Sequence, residues 1–215
     1  MAAAPFAQIE REGLRLTAGG GAKLAHLVSV AAREGLAGLE ELVGIPGTVG
    51  GALHGNAGSQ HGDIGAWVDS ATVITRSGER VERPGGEMHF AYRSSSLDEL
   101  VILAATFELE EGDPVEITKR LQKNWIVKRA ALPPSNLPQG FIFKDSSGTS
   151  AASIIVQAGL AGARVGDAQV SEDNANFILA GRNATSADVR ELIDNVRRTV
   201  LDRLGVRLET AIEIW

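Results

Sequence analysis

The chain has 215 residues, 44% of them hydrophobic, and a net charge of −6, a composition typical of a globular protein with a substantial core. The acidic balance argues against a general nucleic-acid binder, and the absence of cysteine excludes disulfides and thiolate metal sites. No apolar run approaches the ~20 residues of a membrane-spanning helix, and the N-terminal sequence lacks the pattern of a signal peptide. We therefore expect a cytoplasmic protein that binds neither nucleic acid nor membranes.

Short strands and one helix are predicted for the first half of the chain. Apolar residues at helical spacing predict a helix from Leu24, and Gly35 ends it. Ser77 and Gly78 predict the turn of a hairpin. The strands predicted from alternating or continuous apolar residues cover 6–9, 14–18, 67–75, the region of Val81, and 99–110.

A domain boundary is predicted near residue 112. Asp113 is a suitable helix cap and Pro114 suits the first helical position, so a helix is expected to begin there. We assign residues 1–112 to a first domain and residues 113–215 to a second. The new helix is expected to bury one face, formed by the apolar residues Ile117, Leu121 and Trp125.

The last third of the chain carries clear helix signals. A short helix is expected after Ser150, and a short strand at 177–179. Thr185 and Asp188 have the spacing of a capping box, which predicts the start of a long amphipathic helix. Residues 207–215 are predicted to form a final strand. Because strands and helices do not alternate strictly, the predicted class is α+β.

The glycine-rich stretch, defined here as residues 44–58, contains six glycines and one proline. Glycine permits positive φ angles and lets another molecule approach the main chain closely. The segment 48–52 is expected to offer main-chain N–H groups at the start of a helix, an arrangement that can hold phosphate. No Gly-Lys-Ser/Thr follows, so the stretch is not a P-loop. A structural connector between packed elements explains the composition equally well.

Few other residues indicate chemistry. His54 and His61 flank the glycine-rich stretch but are too few to hold a metal, and we predict no metal site. Tyr92 directly precedes Arg93, whose guanidinium suits a carboxylate ligand, although a surface ion pair is also consistent with the sequence. His26 is expected to be structural.

Five segments occur in an order that resembles the UDP-N-acetylenolpyruvoylglucosamine reductase family of peptidoglycan synthesis. They are GLEELVGIPGTVGGALHGNAGSQHGDIG, FAYRSSSL, FKD, AGLAGARVGDAQVSEDNANFIL and ATSADVRELIDNVRRTVLDRLGVRLE. The resemblance covers essentially the whole chain. It implies the remaining, second lobe of a PCMH-type flavin-binding region in residues 1–112, followed by a smaller α+β substrate-binding domain in 113–215.

The resemblance also implies an activity. In the family, FAD is reduced by NADPH and passes hydride to the enolpyruvyl group of a UDP-sugar, giving UDP-N-acetylmuramate. Such an enzyme serves cell wall biogenesis and, through it, cell shape and cell division. The single catalytic residue that the family pattern assigns in this chain is Arg93, which stabilises enolate charge.

Binding residues follow from the same motifs. The resemblance implies that the glycine-rich stretch contacts the cofactor FAD through Ile45, Pro46, Gly47, Thr48, Val49, Gly50, Gly51, Asn56 and Ala57. It implies that the substrate contacts Tyr92, Arg93, Lys144, Asp145 and Asn174.

Several positions depart from the family pattern. The family proton donor is a serine or cysteine where this chain has Phe141, and a catalytic glutamate stands where it has Ala211. A histidine usually occupies the position of Asn174, and an asparagine that of Asp145. We therefore expect little reductase turnover. The alternative is a non-enzymatic remnant that binds a UDP-sugar or a partner chain without redox chemistry.

A flavin subdomain with a Gly-Gly-Gly-Ser-Asn loop precedes the matching region in family members. The glycines at 19–21 do not match that loop, because Ala22 and Lys23 follow them. We expect this lobe to be lost, to come from another polypeptide, or to be encoded upstream of Met1.

Overall fold

The computed structural model describes residues 4–59, 61–133, 137, 139–145, 148–212 and 214, without the side chains of Ala4, Pro5 and Ala131. The chain divides into two compact units, residues 1–129 and 130–215. The helix predicted to open the second domain therefore has most of its length in the first unit.

The first unit contains three helices and a series of mostly short strands. In chain order these elements are β1 (Ile9–Glu12), β2 (Arg15–Gly19), α1 (Leu24–Arg33), β3 (Leu36–Ala37), α2 (Val49–His54), β4 (Gly58–Ser59), β5 (Gly62–Asp63), β6 (Val68–Ile74), β7 (Arg80–Pro84), β8 (Phe90–Ala91), β9 (Ser94–Ser95), β10 (Val101–Glu108), β11 (Glu110–Glu111) and α3 (Pro114–Ala131).

A five-stranded antiparallel sheet forms the centre of this unit, in the order β1-β2-β10-β6-β7. Alternate residues of the inner strands are buried, so one face of the sheet packs into the core with α1 and α2. Smaller antiparallel pairs join β3 to β11, β4 to β5 and β8 to β9. The predicted helix from Leu24, the predicted hairpin and the predicted strand within 99–110 are all confirmed.

The helix α3 begins at Pro114 as expected, but its predicted buried face is only partly correct. Ile117 is buried and Leu121 packs against the core, whereas Trp125 is 51% exposed. The second half of the helix is held by polar contacts instead. The donors are Arg120, Asn124 and Lys128, at i, i+4 and i+8, and their acceptors belong to Glu40 and Glu41.

The second unit is also α+β. Its elements are β12 (Gln139–Phe141), α4 (Ala151–Gln157), β13 (Arg164–Val165), β14 (Ala168–Val170), β15 (Phe177–Ala180) and α5 (Ser186–Leu204). The strands form an antiparallel sheet in the order β12-β15-β14-β13. Apolar residues of both helices complete its core, among them Ile155, Ile193 and Val200.

Local capping chemistry explains where the helices of this unit begin and end. The Ser150 hydroxyl accepts from the Ser153 N–H at 3.2 Å. Thr185 and Asp188 form the predicted capping box, with reciprocal bonds of 3.1 and 2.8 Å. Gly205 ends α5 in the left-handed conformation.

The predicted strand over 207–215 is wrong for the residues that the structure describes. Among the described residues after Gly205, one isolated bridge forms, between Thr210 and Phe143. Two main-chain bonds flank it, from the Lys144 N–H to the Glu209 carbonyl and from the Ala211 N–H to the Ile142 carbonyl, and these described residues form no longer strand. Across the described part of the chain, no helix combines the length and apolar character needed to cross a membrane.

Candidate functional site

The glycine-rich stretch begins the helix α2, as its sequence predicts. Thr48 caps this helix, and its hydroxyl accepts from the Gly51 N–H at 3.3 Å. Leu53 and Val49 are fully buried and attach the helix to the core of the first unit. The stretch therefore has an inner, apolar side and an outer side formed by main chain.

The N–H groups at the start of α2 are not open, which corrects the expectation from sequence. Val49 donates to the Ala22 carbonyl at 2.9 Å, and Gly50 donates to the Gly20 carbonyl at 2.8 Å. A Cβ on Gly50 would lie only 3.1 Å from the same Gly20 oxygen. Glycine at position 50 thus allows close packing within the protein.

The open part of the stretch lies just before the helix. Pro46, Gly47 and Thr48 are exposed. Gly47 has a φ of +111°, and a Cβ placed on it would have no atom within 4 Å. A flat ligand can approach the main chain here. Of the other predicted cofactor residues, Gly51 is exposed, Ile45 and Gly50 are half-buried, and Val49, Asn56 and Ala57 are buried.

The side chain of Asn56 hydrogen-bonds the end of the stretch to two other segments. Its side chain is buried at 4% exposure, and its backbone has a φ of +43°. The amide Nδ2 donates to the Ala91 carbonyl at 3.0 Å, and Oδ1 accepts from the Gly65 N–H at 3.1 Å. Asn56 therefore positions neighbouring elements through both ends of its amide.

Tyr92 and Arg93 form the tip of the hairpin β8–β9. The register pairs Ala91 with Ser94, leaving two residues in the turn. Arg93 has a φ of +59°, the positive value that a type II turn requires at its third position. Glycine is the usual residue there, so an arginine at this position carries backbone strain, a feature that is common at functional sites.

The base of this hairpin is bonded to α2. The Ser95 hydroxyl donates to the His54 carbonyl at 2.9 Å, and His54 Nδ1 lies 2.8 Å from the Leu97 carbonyl. Together with the Asn56–Ala91 bond, these contacts hold the hairpin against the glycine-rich stretch. The structure thus brings together two of the motifs that the sequence singled out.

The two residues of the tip also contact each other. The Arg93 guanidinium lies 5.8 Å from the centre of the Tyr92 ring, within the range of a cation–π interaction. Tyr92 is 56% exposed and Arg93 is half-buried. The contact limits the directions that the guanidinium can take.

Lys128 is a neighbour of this site that the sequence reasoning missed. Burial lowers the pKa of its ammonium group, the nearby Glu41 carboxylate raises it, and the charge of Arg93 lowers it further. Its Nζ donates to the main-chain carbonyl of Glu41. The only signal in the sequence is the i, i+4, i+8 spacing of polar residues on α3, which reads equally as a solvated face.

The two positions that the resemblance assigns to the family acid groups lie in the second unit on adjacent segments. Phe141, on β12, packs edge to face against Phe177, with ring centres 5.9 Å apart and an angle of 70° between the rings. The Ala211 N–H donates to the Ile142 carbonyl at 2.7 Å. The chain therefore keeps positions 141 and 211 close, although neither side chain can donate a proton.

The remaining predicted substrate residues are held by the same segments. The Lys144 N–H donates to the Glu209 carbonyl at 2.8 Å. Asp145 accepts from the Ala151 N–H at 2.9 Å, at the start of α4. Asn174 Oδ1 accepts from the main-chain N–H of Asn176 at 3.2 Å.

Asn176 was not singled out from the sequence, yet it organises this part of the unit. It is buried, and its side-chain amide donates to the Phe143 carbonyl at 2.8 Å and accepts from the Phe143 N–H at 2.9 Å. Both bonds imitate those of a neighbouring strand. Among the residues that the structure describes, no group of three potential metal ligands lies together.

Comparison with known proteins supplies the family. A model described as "UDP-N-acetylenolpyruvoylglucosamine reductase, C-terminal domain" matches residues 133–215, and one described as "FAD binding domain" matches residues 5–83. The UDP-N-acetylenolpyruvoylglucosamine reductase of Rhodopirellula baltica is 41% identical over 207 residues, which are 96% of this chain and 68% of the relative. The chain belongs to the UDP-N-acetylenolpyruvoylglucosamine reductase family.

Further members of this family agree. The relative named reductase 2 from Symbiobacterium thermophilum is 42% identical over 98% of this chain and 69% of its own length. The crystal structure of the reductase from Thermus caldophilus superimposes with a TM-score of 0.85 at 34% identity, covering 99% of this chain and 76% of that one. The family resemblance and the α+β flavin-binding fold expected from the sequence are therefore confirmed.

Proposed function

We propose that the chain functions as a flavin-dependent oxidoreductase of peptidoglycan synthesis, which binds FAD and the enolpyruvyl ether of UDP-N-acetylglucosamine. NADPH is the proposed reductant and the cytoplasm the proposed location. In this role it would serve cell wall biogenesis, cell shape and cell division. The proposal rests on the position of Arg93, which has a positive φ and lies on a hairpin that is hydrogen-bonded to the glycine-rich stretch.

The residues of the first unit fit a flavin. Main chain at 46–48 is exposed and has open space beside Gly47, and the FAD-binding family model spans this segment. The exposed main chain of Pro46, Gly47 and Thr48 would contact the cofactor. The buried residues Val49, Asn56 and Ala57 would support this surface from the protein interior. When bound, FAD supplies hydride-transfer chemistry. We assign cofactor binding to residues 1–112 and substrate binding to 113–215, with Tyr92 and Arg93 of the first region also contacting the substrate.

Arg93 is proposed to bind the carboxylate of the enolpyruvyl group. A guanidinium presents paired N–H donors that match both oxygens of a carboxylate, and it stabilises negative charge that develops during reduction. Its position is set by the hairpin turn and by the Tyr92 ring. Since hydrogen bonds from Asn56 and Ser95 hold the hairpin in place, little ordering of its backbone remains for ligand binding.

Proton supply is where this chain departs from its family. Phe141 and Ala211 occupy the positions of the family acid and glutamate, and neither carries an ionisable group. Loss of a positioned acid reduces a reaction by about 10²–10⁴-fold, so we expect slow reduction of the enolpyruvyl group. Lys144 and Asp145 remain proposed substrate contacts, and Asn174 takes the place of the family histidine.

A second function is favoured by the aromatic pair of Phe141 and Phe177. Packing of this kind fills the position of a catalytic hydroxyl with apolar surface. A chain that binds the UDP-sugar, or a partner chain, without redox turnover would tolerate such a replacement.

The test separates binding from turnover. Purified protein is examined for flavin absorbance, for NADPH oxidation with the enolpyruvyl UDP-sugar, and by calorimetry with that sugar. Flavin with slow, substrate-dependent NADPH oxidation supports the reductase, and sugar binding without oxidation supports the second function. Colourless protein that gives no heat contradicts both. The double substitution Phe141→Ser and Ala211→Glu is expected to raise turnover, with Arg80→Ala, on an exposed strand position, as the matched control.

A further inference from the structure

The two ends of the glycine-rich stretch are joined by one side chain. Glu41 lies in a short 3-10 turn, Glu40–Leu42, just before the stretch begins. Its carboxylate Oε2 accepts from the hydroxyl of Ser59 at 2.6 Å, and Ser59 directly follows the stretch. This hydrogen bond therefore closes the chain into a loop that contains residues 42–58.

The hydroxyl of Ser59 is oriented by a second bond. Ser59 belongs to β4, which pairs with β5, and its oxygen accepts from the His61 N–H at 3.1 Å. That bond uses a lone pair, so the hydroxyl proton remains available for the Glu41 carboxylate. A Cβ placed on Gly62 would lie 3.8 Å from Glu41 Cγ, so the side chain of Glu41 lies beside the β4–β5 pair.

The other carboxylate oxygen of Glu41 reaches a different element. Oε1 accepts from Asn124 Nδ2, on α3, at 2.8 Å. Lys128, one turn later on that helix, donates its Nζ to the main-chain carbonyl of the same glutamate. Hydrogen bonds to a charged acceptor are stronger than those between neutral groups. Glu41 is thus held by α3 while it holds the far end of the stretch.

The exposed main chain at 46–48 lies within the loop that Glu41 closes. The Gly47 carbonyl accepts from the Leu24 N–H at 3.1 Å, which attaches this main chain to the start of α1. Gly44, with a φ of +78°, lies beside Trp125 of α3. A segment that is already ordered loses less conformational entropy when a ligand binds to it. Closure of the loop should therefore favour binding at 46–48.

We propose that Glu41 is a positioning residue of the glycine-rich stretch, which fixes the main chain at 46–48 for the cofactor by joining Ser59 to Asn124. Glu41 acts through the loop that it closes and needs no contact with the ligand. A carboxylate suits this role because its two oxygens can accept from two separate elements. The inference rests on the proposed function only in naming FAD as the ligand.

The first measurement is hydrogen exchange of the purified chain without ligand. Ile45 and Ile64 donate main-chain hydrogen bonds near the two ends of the stretch. Glu41→Ala and Ser59→Ala should each accelerate exchange of these two amides by about tenfold or more. Exchange in the central strand β10 should stay unchanged, which separates opening of the loop from loss of the fold.

Two further variants test whether the bond between Glu41 and Ser59 is responsible. The double variant Glu41→Ala/Ser59→Ala should exchange no faster than Glu41→Ala alone, because both substitutions remove the same bond. Ser77→Ala removes a comparable hydroxyl–carboxylate bond, to Glu79 at 3.2 Å in an exposed turn, and should leave the exchange of the stretch unchanged. Additive effects, or wild-type exchange in Glu41→Ala, overturn the inference.

The second measurement is titration of FAD followed by flavin fluorescence. Glu41→Ala should weaken binding by about tenfold or more, while Glu41→Gln should retain most of the affinity, because it keeps the length and one acceptor oxygen. Equal affinities of wild type and Glu41→Ala overturn the inference. Wild type that does not bind FAD contradicts the proposed function instead, and the exchange measurements then decide alone whether Glu41 positions the stretch.

Discussion

Asn56 Nδ2 donates to the main-chain carbonyl of Ala91 at 3.0 Å, which joins the end of the glycine-rich stretch to the strand that leads into Arg93. The two residues are 35 positions apart in sequence. Because Asn56 also accepts from the Gly65 N–H, its amide links three segments of the first unit. Any ligand site that uses both Gly47 and Arg93 depends on this link.

Replacement of Asn56 by alanine should therefore reduce both stability and ligand binding. It removes two hydrogen bonds, to the exposed Ala91 and the half-buried Gly65, each worth about 0.5–1.5 kcal/mol, and it places alanine at a positive φ, which costs about 1 kcal/mol more. We expect the free energy of unfolding, measured by urea denaturation, to fall by about 2–4 kcal/mol on this basis. Asn183→Ala, at an exposed position, should change it by less than about 0.5 kcal/mol. Equal effects of the two substitutions would contradict the role of Asn56.

Arg93 offers a test of backbone strain that is independent of ligand binding. At a φ of +59°, a residue with a Cβ pays about 1–2 kcal/mol that glycine does not. Arg93→Gly should therefore be more stable to urea than Arg93→Ala, although both lose the guanidinium. At Arg80, on strand β7, the alanine variant should instead be more stable than the glycine variant, because glycine weakens an ordinary strand position. An alanine variant at 93 as stable as the glycine variant would show that the turn is unstrained.

Gly20 is predicted to tolerate no side chain. A Cβ there would lie 1.9 Å from the Ile102 carbonyl oxygen, so the sheet strand or the loop must move. Overpacking of this kind typically costs about 1–3 kcal/mol, occasionally more, and we expect Gly20→Ala to reach or exceed the upper value. Gly86→Ala has no atom within 4 Å of its Cβ and serves as the control. Thermal unfolding of the two variants makes the comparison, and similar midpoints would refute the expectation.

Lys128 should make the stability of the protein depend on pH. Its pKa in the folded state is lowered from the ordinary value of 10.5, mainly by burial. Between the two pKa values the unfolded chain binds more protons than the folded chain, so the free energy of unfolding rises with pH in the window just below 10.5. Urea unfolding at several pH values should show wild type gaining stability relative to Lys128→Met as the pH increases.

Burial fixes the sign of this effect, and the charged neighbours of Lys128 change its size. The charge of Arg93 lowers the lysine pKa and the Glu41 carboxylate raises it, so Arg93→Met should flatten the pH dependence. Glu41→Gln should steepen it. A stability difference that falls as the pH rises would rule out a destabilised ammonium at this position.

Features determined by short stretches of sequence were predictable. The Thr185–Asp188 capping box, the helix start at Pro114 and the hairpin turn at Gly78 each depend on chemistry within a few residues. The family motifs predicted the family, which the comparisons confirm, and a role for Arg93, which stays a prediction. Such signals do not depend on knowing the tertiary structure.

Features determined by distant residues were not predictable. Trp125 was expected to be buried, but Arg120, Asn124 and Lys128 turn the polar side of α3 inward toward Glu40 and Glu41. No sequence pattern shows that the acceptors of these three side chains lie 80 residues or more away in the chain.

The main-chain hydrogen bonds of the glycine-rich stretch could not be predicted from the sequence, because their partners are also distant in the chain. The N–H groups of Val49 and Gly50 look available until the loop containing Gly20 and Ala22 folds against them. The two-residue turn at Arg93 has neither glycine nor asparagine, so turn chemistry gives no sign of it.

The second half of α3 turns its polar side toward the protein, and its attachment should therefore depend on salt concentration. Its first turns pack against the core through Ile117 and Leu121. Its later turns are held by an ion pair to Glu40 and by a side-chain amide hydrogen bond to Glu41. Salt screens charged contacts at the surface and leaves apolar contacts intact. The helix should therefore loosen from its C-terminal end when ionic strength rises, and hydrogen exchange at 124–128 would accelerate while exchange near 117 stays slow. Ionic strength then becomes a means of weakening the Arg120–Glu40 ion pair without any substitution.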